Sequence, residues 1–240
     1  MAAATPSESE AGPVRHTAPK LVDLSHAIEH GMVTYPGLPT PVISVYLGRE
    51  ESRGRYAPGT EFQIGRIEMV ANTGTYVDAP SHRLVQGADL AALSLARLAG
   101  LQGEVIRAAN RAGRGIDASF FGGRELSGKA VLVHTGWDVH FGTGHYADGH
   151  PYLTEDAARH LSAAEAVLVG IDSLNIDDTA DGRRPVHTTL LGQGIPIVEH
   201  LTHLEDLPDR GFLFFAVPPR VKGLDSFPVR AFALLEGSWI

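Results

Sequence analysis

The sequence predicts an α/β fold built on a mixed sheet, with α+β as the neighbouring reading. Three observations point there. Runs of β-branched and apolar residues bounded by Gly or polar turns outnumber the helical stretches. The helical stretches are scattered between those runs, without the regular alternation of a purely parallel sheet. No Ser/Gly-rich or Pro-rich linker and no internal repeat interrupts the chain after Leu21, so one domain over residues 21–240 is expected.

Along the chain, residues 62–70 read as the first strand and residues 93–98 as a helix candidate. Residues 131–134 form a short apolar strand. Thr154 is an N-cap candidate, and residues 157–166 supply strong helix formers behind it. Residues 167–171 return to a strand, residues 188–191 to a short helix, and residues 196–198, 212–217 and 229–235 to strands. Residues 1–20 are small, polar and Pro-containing, and lack the basic start and apolar core of a secretory signal; a disordered tail is expected there.

Composition excludes several functions. With 240 residues and no cysteine, disulfide scaffolds, thiolate zinc sites, iron–sulfur centres and cysteine nucleophiles are ruled out. Any metal must be held by His or oxygen donors, and 12 histidines are available. A net charge of −8 disfavours a nucleic-acid partner, and no apolar run is long enough to span a bilayer. The 27 glycines and 15 prolines point to a loop-rich fold. A soluble, cytoplasmic protein acting on a small molecule is the expectation.

Two segments concentrate the polar chemistry. In Asn72-Thr-Gly-Thr-Tyr-Val-Asp-Ala-Pro-Ser-His82, Tyr76 and Asp78 share a face if the backbone is extended. Asn72 joins them if Gly74 keeps the register, and His82 has the same parity beyond Pro80. A turn with Asp78 capping amides and His82 exposed is the plainer alternative. The second segment runs from Gly170-Ile-Asp172 through three aspartates to His187 and Glu199, donors suited to Zn, Mn or Fe. Here too a plainer reading stands, in which Asp172 and Asp177 only cap turns. His140, His145 and His150 read as surface loop residues, and His160 as structural or exposed. No G-x-S-x-G, P-loop or dinucleotide fingerprint is present.

Together with Leu24-Ser-His-Ala-Ile28, Gly31-Met32, Tyr35-Pro-Gly37, Thr135-Gly-Trp-Asp138 and Pro228-Val-Arg-Ala231, these segments resemble the cyclase family of metal-dependent hydrolases, which includes bacterial kynurenine formamidase and isatin hydrolase. The resemblance runs from about Leu21 to Glu236. It implies a swivelling β/β/α-type single domain, a mixed sheet flanked by helices, and a homodimer or homotetramer. The family pattern H-x-G-T-H-x-D-x-P-x-H is matched at Gly74, Thr75, Asp78, Pro80 and His82, but its first two histidines are Asn72 and Tyr76 here. An amide is a weak metal donor and a phenol must first deprotonate, so one of the family's two metal positions should be lost.

The resemblance leaves Asp78, His187 and Glu199 to hold at most one divalent ion, Zn or Mn, with a metal-free reading kept open. It makes His82 the acid/base, Tyr76 an oxyanion donor, and Tyr35, Trp137 and Asn72 substrate contacts, with Trp137 as ordinary core at a strand-to-helix turn the open alternative. Hydrolysis of an amide, formamide, lactam or ester in a small cyclic or aromatic substrate is the first function it implies. The alternative is a metal-free cyclase or dehydratase of a polyketide-type pathway, with Tyr76 and His82 as acid and base. A non-catalytic binding protein is the third.

Overall fold

The computed structural model describes residues 19–237. Most of the expected tail, residues 1–18, lies outside the described residues. In chain order the strands are β1 (Leu21–Asp23), β2 (Val42–Leu47), β3 (Ile64–Glu68), β4 (Tyr76–Asp78), β5 (Ala99–Arg107), β6 (Gly115–Ile116) and β7 (Ala130–His134). They continue with β8 (Tyr152–Leu153), β9 (Leu168–Ile171), β10 (Ile197–Glu199), β11 (Phe212–Phe215), β12 (Ser226–Pro228) and β13 (Phe232–Leu235). The α-helices are α1 (Arg49–Ser52), α2 (Glu155–Ala163) and α3 (Pro185–Gly192).

Nine strands form one mixed sheet in the order β1-β13-β11-β5-β7-β9-β10-β4-β12. The central β5-β7-β9-β10 pairs are parallel and the outer pairs antiparallel. A parallel centre must be covered on both faces, which is why Val131–Val133 and Leu168–Ile171 read as continuous apolar runs. Alternation along each strand then splits them. Val131, Val133, Val169 and Ile171 enter a cluster covered by Leu161 of α2 and Val186 and Leu190 of α3. Leu132, Leu168 and Val198 enter a second cluster with Val77 of β4 and Phe214 of β11. Strands from both ends of the sheet share that second cluster, so the sheet curls around it. Gly103 permits the close packing there, since a Cβ at that position would fall 1.9 Å from the Phe212 ring.

Sequence periodicity placed β3, β7, β9, β10, β11, β13, α2 and α3 but gave no strand for β5, the nine-residue Ala99–Arg107 of the sheet centre, and other differences are instructive. The helix expected over residues 93–98 is only a 3-10 turn, Leu95–Arg97, with Ser94 capping it. The helix expected over residues 188–191 begins three residues earlier, at Pro185, because Pro suits the first helical position. The strand expected over residues 229–235 is confined to β13, Phe232–Leu235, and β12 just before it, Ser226–Pro228, pairs at the far end of the sheet order. Thr154 precedes α2 as expected, but its hydroxyl donates to Ile116 O and Asp156 and caps no amide. His150, expected on the surface, is fully buried between Pro151 O and Thr179 Oγ1.

β2 and β3 pair with each other outside the main sheet. Apart from the buried Leu47, their side chains stay exposed although many are apolar, with Tyr46 70%, Val45 57% and Ile67 49% accessible.

Behind the second segment, His200 is fully buried and takes a left-handed backbone, φ 57°. Its Nδ1 meets Tyr146 Oη at 2.9 Å and its Nε2 has no hydrogen-bond partner. Burial, helped by the charge of His26, drives its pKa down to about 3. The unfolded chain takes up this proton near 6.5, whereas the native state refuses it until about pH 3. Stability from this group is therefore complete above pH 6.5 and is lost as pH falls from 6.5 toward 3. Thermal melts between pH 7 and about pH 4 are expected to show Tm falling with acidity, and His200→Asn, which tolerates the left-handed backbone, should flatten that slope. An equal slope in the variant would remove His200 as its source.

Candidate active site

Strand register assembles the site. β4 pairs antiparallel with β10 so that Tyr76 lies opposite Glu199, and with β12 so that Asp78 lies opposite Ser226. Each cross-strand pair becomes a hydrogen bond: Tyr76 Oη donates to Glu199 Oε2 at 2.5 Å, and Ser226 Oγ donates to Asp78 Oδ1. Gly74, at φ 65°, turns the chain just before β4, with its amide donating to Thr34 Oγ1 at 2.7 Å. Asn72 therefore stays within reach, donating from Nδ2 to Asp78 Oδ1 at 3.4 Å. The expected convergence of Asn72, Tyr76, Asp78 and His82 is what the structure shows.

His187 arrives from the first turn of α3. Pro185 has no N–H, so Val186 and His187 carry the free amides of that turn. Arg184, in the N-cap position, is left-handed at φ 51° and caps neither. Asp177 caps both instead, with Oδ1 2.7 Å from Val186 N and Oδ2 3.0 Å from His187 N. The same Oδ2 takes His187 Nδ1–H at 2.7 Å. That bond fixes the imidazole and leaves Nε2 as the free donor atom. Asp177 is thus more than a turn residue. Asp172, at the end of β9, braces the Thr135–Trp137 turn through Thr135 N, Thr135 Oγ1 and Gly136 N.

His187 Nε2 faces Asp78 Oδ2 and Glu199 Oε1, each at 3.7 Å. Asp78 Oδ2 is buried and has no hydrogen-bond partner. Two carboxylate oxygens converging on an imidazole lone pair present donors with nothing positive between them. The site answers this by favouring a proton on His187. Burial opposes its charge, but the bond to Asp177 and the nearby Asp78 and Glu199 carboxylates push its pKa up to about 10. A divalent cation satisfies the same donors, and their oxygen/nitrogen chemistry fits Zn or Mn. His82 also brings a nitrogen close: donor atoms of Asp78, His82 and His187 all lie within 4.8 Å of one another.

The charges are sharply differentiated. Burial first, and then Glu199 and Asp78, raise the Tyr76 phenol well above its usual value, so it stays protonated and donates. Burial lifts Glu199 to about 7. Asp78 is held below its usual range, because bonds and charges from His187, His82 and Ser226 outweigh its burial. His82 Nδ1 lies 3.2 Å from Ser226 Oγ, whose proton goes to Asp78. Ser226 must then accept from His82 Nδ1–H, which leaves His82 Nε2 as a base.

These groups open onto a pocket of about 370 Å³. Tyr35 and Leu38 flank it, Asn72 and Tyr76 reach into it, and His82 and His187 line it. Trp137 does not line it. Its indole donates to Tyr146 O at 2.9 Å and packs against His140 and His145. The signature block holding Trp137 is drawn together by Asp172 rather than by a ligand. Sequence reasoning missed Ser226, Arg83 and Arg184. Ser226 carried no local signal, whereas Arg83 and Arg184 directly flank recognised residues.

Residues 22–178 match the cyclase family model. A kynurenine formamidase of Bacillus cereus is 26% identical over 216 residues, 88% of this chain and 95% of that protein. That of Bacillus anthracis is 26% identical over 218 residues, covering 88% and 96%. A solved structure of a potential metal-dependent hydrolase with cyclase activity superposes with a TM-score of 0.74 at 27% identity, over 90% of this chain and 98% of that one. Isatin hydrolase A from Ralstonia solanacearum shares the fold, with a TM-score of 0.77 at 21% identity over 90% and 92%. With the family model spanning well over half of the chain and the fold agreeing over 90% of it, the protein belongs to the cyclase family.

Proposed function

We propose that the protein hydrolyses an amide, formamide, lactam or ester bond in a small aromatic or cyclic substrate. The observation that carries this is the unpartnered, buried Asp78 Oδ2 facing His187 Nε2 beneath an aromatic-flanked pocket. The kynurenine formamidase and metal-dependent hydrolase relatives support the same chemistry. Asp78, His187 and Glu199 would hold one divalent ion, Zn or Mn, which when bound supplies Lewis-acid polarisation of the scissile carbonyl.

The chain's own groups supply the rest. His82 Nε2 takes a proton from the attacking water and returns it to the leaving nitrogen or oxygen. Ser226 and Asp78 hold that ring in its basic tautomer. Tyr76 keeps its proton and spends it on Glu199, orienting that carboxylate, so the oxyanion role expected of it would require that bond to be exchanged. Tyr35 and Leu38 give the substrate ring an apolar flank, and Asn72 a polar contact. Formate release from formanilide and N-formylkynurenine, with isatin opening as a parallel assay, tests the reading. Full turnover after chelation would overturn it in favour of metal-free acid–base chemistry.

Asn72 and Tyr76 account for a single ion. The double variant Asn72→His/Tyr76→His is expected to raise bound metal from one to two ions per chain, read by elemental analysis. Unchanged stoichiometry would reject that account.

A homodimer or homotetramer and a cytoplasmic location belong to the same reading. The exposed apolar β2–β3 ribbon supports self-association, since an isolated two-stranded ribbon is marginal in water. Light scattering is expected to give a mass of two or four chains, and Tyr46→Asp with Ile67→Lys to reduce it. A monomeric wild-type protein would contradict this.

A further inference from the structure

We propose that the pocket selects aromatic substrates bearing a carboxylate, which Arg83 and Arg184 bind at its mouth. The scissile bond rests on the hydrolase reading above, whereas recognition of the anion stands on the arginines themselves.

The two arginines come from different elements. Arg83 directly follows the 3-10 turn Pro80–His82, and Arg184 directly precedes α3. Both line the pocket that contains Tyr76 and His187. Thr188 ties them together. Arg83 Nε donates to Thr188 Oγ1 at 3.0 Å, and that hydroxyl donates to Arg184 O at 2.8 Å. Arg184 Nη1 donates to Asp178 O at 3.1 Å. A guanidinium offers five N–H donors, so each arginine is anchored with most of its donors unspent.

Neither is neutralised. Among the described residues no carboxylate lies within 4.0 Å of either guanidinium, although neighbouring Arg183 pairs with Asp181 and Arg114 with Asp178. Other described cations, Arg97 and Arg220 among them, also lack an ion pair, but Arg83 and Arg184 are two that share the wall of one pocket. Arg184 also holds a left-handed backbone, φ 51°, which costs a non-glycine residue energy and is commonest where function demands it. Among the described residues, no acidic side chain lines the pocket. An ammonium group therefore finds no partner there, and a plain carboxylate is favoured over a zwitterion. A planar carboxylate matches the fork of a guanidinium.

The test is calorimetric binding of three ligands with one skeleton: 3-phenylpropanoate, 3-phenylpropanamide and L-phenylalanine. The propanoate is expected to bind about tenfold more tightly than either companion at low salt. Arg83→Gln and Arg184→Gln should each shrink that advantage severalfold, and added salt should weaken it. Equal binding of the three overturns the proposal. So does an advantage that survives both substitutions, as it would if the carboxylate sat only on an ion at Asp78 and His187. Formate release from formanilide and N-formylanthranilate separates the two claims. Equal kcat/KM for both overturns anion selection and leaves hydrolysis standing. Failure to cleave either overturns hydrolysis, while arginine-dependent propanoate binding still supports the anion site.

Discussion

His187→Gln is expected to abolish stoichiometric Zn or Mn binding and to reduce turnover to background. His187 Nε2 is the donor toward which Asp78 Oδ2 and Glu199 Oε1 both converge, so its loss removes the centre of the proposed ligand set. The substitution also removes the positive charge that His187 carries in the ion-free site, where its pKa is pushed up to about 10. Asp78, Asp177 and Glu199 would then face one another without compensation. Breaking a buried ion pair from one side typically costs about 3 kcal/mol, so the urea midpoint should fall as well. Competition against a chromophoric chelator measures the first effect, and equilibrium unfolding the second. Metal bound at wild-type affinity in His187→Gln would remove His187 from the ligand set.

The second large effect belongs to His82. His82→Gln is expected to lower kcat by about a hundredfold or more, the usual contribution of a positioned acid/base. Metal affinity should stay close to wild type. That pairing of outcomes matters because Asp78, His82 and His187 lie close enough to share an ion. Ser226 argues for the acid/base role: its hydroxyl bonds Asp78 and faces His82 Nδ1 at 3.2 Å, leaving Nε2 free on a side chain that is 35% exposed at the pocket. Ser226→Ala should cost less than His82→Gln and shift the pH profile of kcat, because the ring loses the bond that fixes its tautomer. Loss of metal in His82→Gln, together with lost turnover, would make His82 a ligand instead.

Much of this site was legible from local order. Period-two spacing in an extended stretch placed Tyr76 and Asp78 together, and the register of β4 against β10 shows the geometry behind it. The apolar runs of β7 and β9 read as strands of a mixed sheet, and only the structure shows that they form its buried parallel centre. What stayed hidden depends on distant pairing. Ser226 is 148 residues from Asp78 and lies just outside the Pro228-Val-Arg-Ala231 block, so only strand register brings it to the site. Asp177 looked like a turn residue because its partner amides belong to a helix whose first residue, Pro185, donates nothing. Trp137 stood in a signature block, but that block is conformational: Asp172 grips the turn and the indole packs outward on histidines. His150 sits in a Gly-rich stretch, and composition alone cannot show that Thr179 closes over it.

The electrostatic pattern explains why two departures from the family motif do not empty the site. Burial and two carboxylates keep the Tyr76 phenol protonated, so it joins Glu199 as a donor where a ligand histidine would have met an ion. Asn72 in turn donates to Asp78. Both residues place hydrogen-bond donors where the family motif has histidines, aimed at the carboxylates proposed to hold the ion.

Elemental analysis of protein reconstituted with Mn or Zn and dialysed, run beside formate release at increasing occupancy, tests the central claim most directly. One ion per chain, with rate rising in proportion to occupancy and vanishing on chelation, is the predicted result. Undiminished turnover by the chelated protein, or two ions per wild-type chain, would contradict it.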